Sequence, residues 1–114
     1  NKKVAQNGAM AGELFETFIV SEIVKSWINK GKDLRNLFFY RDSNQKEIDL
    51  LIIENNIVYP IEIKKSSNPG HEAIKNFNVV DKFEMEKGNG IVLCLCKEIS
   101  ALDENNYYVP IEYI

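Results

Sequence analysis

Apolar and polar positions divide the chain into a helical stretch, three extended stretches, a second helical stretch and two further extended ones. From Ala11 to Asn29 no proline interrupts, and Gly31 follows as a C-terminal cap. Leu14, Phe15, Phe18, Ile19, Val20, Ile23, Val24, Trp27 and Ile28 surround most of the helical wheel, which predicts a helix buried on more than one side. Residues 1 to 10 are polar and unpatterned, as in a lead-in or frayed helix. Leu37-Phe38-Phe39-Tyr40-Arg41 is aromatic-rich and strand-like. Glu47 to Ile53 alternates weakly and ends in an apolar run. Ile57 to Lys65 alternates clearly, with Tyr59, Ile61 and Ile63 on one face and Val58, Pro60, Glu62 and Lys64 on the other. Asp42-Ser43-Asn44 and Asn55-Asn56 are the turn signals, asparagine being tolerant of left-handed backbone.

Asn68-Pro69 reads as the start of a second helix, which Ile74, Phe77 and Val80 or Asp81 continue at helical spacing. Gly88-Asn89-Gly90 breaks the chain, and Ile91 to Cys96 is a continuous apolar run suited to a central buried strand. Tyr107 to Ile111 forms a last strand, in which Pro110 implies an edge position. Short turns make the first three strands an antiparallel meander. A helical crossover to Ile91–Cys96 makes the next pair parallel. The expected fold class is α/β: a mixed sheet of αβββαβ order plus an edge strand, flanked by helices.

Length and composition fit one domain over residues 1–114: the chain has 114 residues, 45% hydrophobic and 27% charged. No apolar run approaches the roughly 20 residues of a membrane span, and no cleavable signal segment is visible. The chain opens on Asn1 rather than methionine, so a partner domain upstream is expected. Net charge is -3 with scattered basic residues, which argues against tight autonomous binding of nucleic acid. It leaves room for a local site, because a bound divalent cation itself attracts phosphate. Cys94 and Cys96 lack the partners of a zinc site and read as reduced core cysteines in a cytoplasmic protein.

The chemistry concentrates where the second and third strands meet. With the hairpin loop centred on Asn55-Asn56, Ile53 faces Val58, Asp49 falls opposite Glu62, and Glu47 faces Lys64. Directly opposed side chains have Cβ atoms about 5 Å apart, so two carboxylates there repel unless a proton or a divalent cation neutralises them. Asp49 and Glu62 also stand among aliphatic neighbours, in poor surroundings for charge. On the first helix Glu16 falls within an apolar arc of Ile19, Val20, Ile23 and Trp27, expensive for a carboxylate that is neither paired nor bound to a metal.

Gly12-Glu13-Leu14-Phe15-Glu16, Phe39-Tyr40-Arg41-Asp42, Lys46-Glu47-Ile48-Asp49-Leu50 and Pro60-Ile61-Glu62-Ile63-Lys64-Lys65-Ser66 together resemble an uncharacterised domain family. That domain is found C-terminal to an AAA-type ATPase core in many bacterial and archaeal proteins. Val109 to Ile114 is similar to its usual end, so the resemblance covers nearly the whole chain. The family is placed in the PD-(D/E)XK nuclease-like superfamily, which implies a restriction-endonuclease-like fold. By that resemblance Asp49 matches the acid of the second core strand, Glu62-Ile63-Lys64 the (D/E)-X-K of the third, and Glu16 the first-helix acid. The implied roles are catalytic for Asp49, Glu62 and Lys64, and metal-ligating for Glu16, Asp49 and Glu62, with Mg2+ or Mn2+ as the cation. Ile48 replaces the proline common before the acid, and no Gly-rich phosphate loop of the ATPase is present.

Two functions are compatible with this pattern. One is metal-dependent phosphodiester hydrolysis on DNA, directed by an upstream AAA-type ATPase. The other is a module of the same fold without cleavage, binding nucleic acid or protein or regulating the ATPase. Arg41 is expected to contact phosphate or to hold Asp42 or Asp49, His71 to face solvent, and Trp27, Tyr59 and the phenylalanines to be core rather than base-stacking groups. The lone histidine and the absence of a Gly-x-Ser-x-Gly elbow exclude the usual nucleophile systems.

Overall fold

The first helix runs further than its apolar pattern, from Lys2 to Asn29, in a computed structural model that describes residues 2–114, with side chains from residue 11 on. This helix, α1, ends as its glycine demands. Gly31 takes φ +70, its N–H donates to the Ile28 carbonyl at 2.9 Å, and the Lys32 N–H reaches back to the Trp27 carbonyl at 3.0 Å. The two bonds satisfy carbonyls that the helix leaves without partners.

The strands are β1 (Leu37–Arg41), β2 (Glu47–Glu54), β3 (Ile57–Ile63), β4 (Glu86–Lys87), β5 (Gly90–Cys94), β6 (Ser100–Ala101) and β7 (Asn106–Pro110). They form one mixed sheet of order β1-β2-β3-β5-β7-β6, with β4 also paired to β3. The β1–β2 and β2–β3 pairs are antiparallel, as expected from their short turns, and β3–β5 and β5–β7 are parallel. Asn55 and Asn56 both take left-handed backbone (φ 53 and 63), the two-residue turn whose twist matches a hairpin.

Two expectations about the elements after β3 fail. The segment after Pro69 is no α-helix but two 3-10 turns, His71–Ile74 and Phe77–Lys82. Asn76, Asn78 and Asp81 compete for backbone hydrogen bonds and Val79 and Val80 are β-branched, so the stretch has little helical propensity. The Asn76 amide is committed elsewhere, donating to the Glu47 carbonyl at 3.0 Å. Pro110 also does not mark an edge strand, since β7 lies between β5 and the short β6. It is tolerated because β6 pairs only with Tyr107 and Tyr108, short of the proline. Pro60 similarly falls where β3 changes partner, past its pairing with β4 at Val58 and before its pairing with β5 at Ile61.

The sheet is covered on both faces. On one, Ile19 and Ile23 of α1 pack with Leu50, Ile61, Ile63 and Leu93. On the other, Phe77, Val79 and Val80 of the 3-10 turns pack with Ile48, Leu51 and Val58. The helix is buried along one side only, contrary to its wheel: Leu14, Phe18 and Ile28 are exposed. None of the helices among the described residues is long and apolar enough to cross a membrane.

Candidate active site

The register counted through the hairpin holds from Glu54–Ile57 to Leu50–Ile61. There the β2–β3 ladder stops, while β2 stays paired with β1 as far as Arg41–Glu47. The strands fork. At the fork β2 carries a bulge: Phe38 faces Leu51 and Tyr40 faces Ile48, so Phe39 alone stands opposite Asp49 and Leu50. An unbroken strand would place Ile48 and Leu50 on one face. Here Leu50 packs on the α1 side and Ile48 on the opposite side, and Asp49 lies at the point where the alternation reverses.

Asp49 and Glu62 close the fork with their side chains. The Asp49 N–H donates to Glu62 Oε1 at 3.0 Å, and the Ile63 N–H donates to Asp49 Oδ2 at 2.8 Å. Each carboxylate thus takes the place of a missing ladder bond on the other strand, and each is pinned by one oxygen. The expected direct opposition on one face becomes an exchange of bonds across a gap. It brings the same two acids together, each held to the backbone of the strand that carries the other. Lys64 stands beside them, its Nζ 3.8 Å from Glu62 Oε2.

Like charge in a half-buried place raises proton affinity. Glu62 is pushed up to about 7, first by burial and then by the charge of Asp49. Asp49 is also raised, by burial, against the opposing pull of the Ile63 amide and Lys64. Glu16 lies on α1 on the near side of Asp49, where the two line a shallow depression of about 330 Å³ with Thr17, Ser21 and Phe39. Burial and the Asp49 charge raise Glu16 in turn, so all three acids feel one another.

Other expected partners are placed differently. Glu47 does not face Lys64, because the ladder ends before it. It pairs instead with Arg41, its neighbour in the β1–β2 register, whose Nε donates to Glu47 Oε1 at 2.7 Å. Arg41 therefore holds neither Asp42 nor Asp49. Asp42 organises its own turn, accepting from the Asn44 and Lys46 amides and from the Tyr40 hydroxyl. Trp27, expected in the core, is only half-buried, and its Nε1 donates to the Asp33 carbonyl. Phe39 departs furthest from a core role, at 73% exposed beside Asp49. Two consecutive phenylalanines on a strand must point to opposite sides, which is the one sequence signal that either would leave the core.

The donor set suits a hard divalent cation: carboxylate oxygens, with neither cysteine nor histidine among them. Among the described residues no three His, Cys, Asp or Glu side chains close around one point. Asp49 and Glu62 would therefore hold such an ion as a pair, with water and phosphate completing its shell, a usual arrangement for Mg2+. Glu16 stands next to that pair rather than in a ready-made triad with it.

Comparison with known families finds that the one described as Domain of unknown function (DUF4143) matches residues 11–114. No curated protein and no solved structure gives a significant match.

Proposed function

The chain belongs to the DUF4143 family of domains of unknown function, and we propose that its β2–β3 fork is the active site of a metal-dependent phosphodiesterase acting on DNA. Support comes from one arrangement above all: two half-buried carboxylates, each pinned by one oxygen to the opposite strand, beside an ammonium group. Asp49 Oδ1 and Glu62 Oε2 take no part in these strand-to-strand bonds, at a site where full ionisation is costly without a cation. The acid on β2 and the Glu-Ile-Lys on β3 also fit the PD-(D/E)XK type of nuclease, as does a mixed sheet with α1 on one face. An AAA-type ATPase is the partner proposed to direct such an activity, and the free cysteines Cys94 and Cys96 suit a reducing, cytoplasmic setting.

Bound between Asp49 and Glu62, Mg2+ or Mn2+ would lower the pKa of water and offset charge on the phosphate. The attacking water forms a bond to phosphorus as one P–O ester bond breaks, leaving a phosphate monoester and a free hydroxyl. Lys64 offers a compact positive charge to the water and to the oxygens that gain charge in the transition state. Glu16, its proton affinity raised, orients water at the α1 side of the site.

A second reading, the same fold without cleavage, is favoured by the net charge of -3 and by the lack of a converged third acid. The two are separated by incubating the intact protein with supercoiled, linear and branched DNA in Mg2+ or Mn2+, beside Asp49→Ala and Lys64→Ala. Hydrolysis predicts cleavage that falls about 100-fold or more in each variant. Cleavage indifferent to both substitutions, or no cleavage and no calorimetric heat of Mg2+ binding, would remove the enzymatic reading.

A further inference from the structure

We propose that Phe39 is a stacking platform for an unpaired nucleobase, so that the fork acts on single-stranded or locally unpaired DNA rather than on intact duplex. This rests on the phosphodiesterase reading of the same site and adds the substrate class. Phe39 is the most exposed large hydrophobic side chain of the described residues, at 73%. Its position is set by the bulge, where it alone faces Asp49 and Leu50. Phe39 and Asp49 together line two shallow depressions. One, of about 330 Å³, also contains Glu16. The other, of about 510 Å³, is bounded by Tyr40, Arg41 and Glu47.

Neighbouring strands lie about 5 Å apart, so the Phe39 backbone is one strand spacing from Asp49 on β2, and Glu62 is on the next strand, β3. A base is tied to its own phosphate by a single sugar, and a phosphate held at the fork therefore brings its base within reach of Phe39. In a duplex the base faces are already stacked on one another and offer the ring nothing. An unpaired base presents a free π-face. Charge points the same way. With a net charge of -3, the chain cannot rely on the phosphate attraction that supplies most duplex affinity. Stacking is indifferent to net charge, and it supplies affinity where electrostatics do not.

The test compares wild type, Phe39→Ala and Phe39→Trp of the intact protein on three Mg2+-containing substrates: a single-stranded oligonucleotide, its blunt duplex, and the same oligonucleotide with abasic sites. Binding of each oligonucleotide is followed in parallel by fluorescence anisotropy in Ca2+. Wild type is expected to favour the single strand. Phe39→Ala should lose about tenfold or more in binding and cleavage of it, with little change on the abasic strand, and Phe39→Trp should restore the loss. Cleavage with no dependence on Phe39, or an equal loss on the abasic strand, overturns stacking and leaves the phosphodiesterase reading intact. Binding that depends on Phe39 without any cleavage does the reverse. Unchanged DNA binding with an oligomeric state altered by Phe39→Ala assigns the ring to a protein contact and overturns the proposal.

Discussion

Glu62 holds its proton to about pH 7, against an ordinary 4.5, and this ties folding stability to pH with a definite sign. Below pH 4.5 the folded and unfolded chains both keep the proton, and Glu62 contributes nothing. Between 4.5 and 7 the folded chain retains a proton that the unfolded chain has released, so stability falls as pH rises. Above that window the full cost of ionising Glu62 is in place, at most about 3 kcal/mol. Asp49, raised by burial as well, acts in the same direction. Urea unfolding in a chelator is therefore expected to give lower stability at pH 8 than at pH 5, by about 1–3 kcal/mol. Glu62→Gln should flatten that slope while keeping an acceptor for the Asp49 amide. Millimolar Mg2+ should recover the loss at pH 8, because a cation bound only by the folded state stabilises it. A slope of the same size in Glu62→Gln would show that another group causes it. Asp49 and Glu62 were legible as a pair because hairpin register can be counted through two asparagines. The bulge was not, since one extra residue leaves no mark on the composition of a strand, and with it the exposure of Phe39 stayed hidden.

Among the elements, the hairpin at Asn55-Asn56 and the start of β5 make opposite demands on small residues. Both asparagines are left-handed, at φ 53 and 63, and the second position of such a turn is best filled by glycine. Asn56→Gly is expected to stabilise the chain by about 0.5 kcal/mol in denaturant titration, without disturbing the fork five pairs away. Gly90 has no room for change. A Cβ there would lie 2.1 Å from Asn106 Oδ1 and 2.6 Å from the Phe77 ring, both buried. Gly90→Ala should cost about 2–3 kcal/mol, or push β5 away from the 3-10 turns, which loss of Phe77 packing would register in near-ultraviolet dichroism. The strands were readable because their periodicity is local. β4 and β6 were not, each being a two-residue pairing created by its neighbours. The missing second helix has a similar origin: Ile74, Phe77 and Val80 keep helical spacing, yet 3-10 turns with a tertiary anchor at Asn76 satisfy the same apolar contacts.

In the whole molecule, α1 lies against one face of a single sheet, and no second layer covers its outer side among the described residues. The wheel could not reveal this, because apolar residues on the outer side look the same in sequence as those on the inner. Two adjacent positions separate the roles. Ile19 is 3% exposed and joins Leu50, Ile61 and Ile63, whereas Phe18 is 59% exposed. Ile19→Ala removes buried methyl groups and leaves a cavity between helix and sheet, at a cost of about 2–4 kcal/mol. It should also loosen the support of Glu16, three residues earlier on α1, and with it the α1 side of the fork. Phe18→Ser changes little that is buried and should remain within about 0.5 kcal/mol of the parent. Paired urea titrations in chelator measure both, and the parent layering requires the first to exceed the second several-fold. Comparable losses from the two substitutions would mean that the outer face of α1 is packed in solution, and that the isolated single-faced arrangement is incomplete.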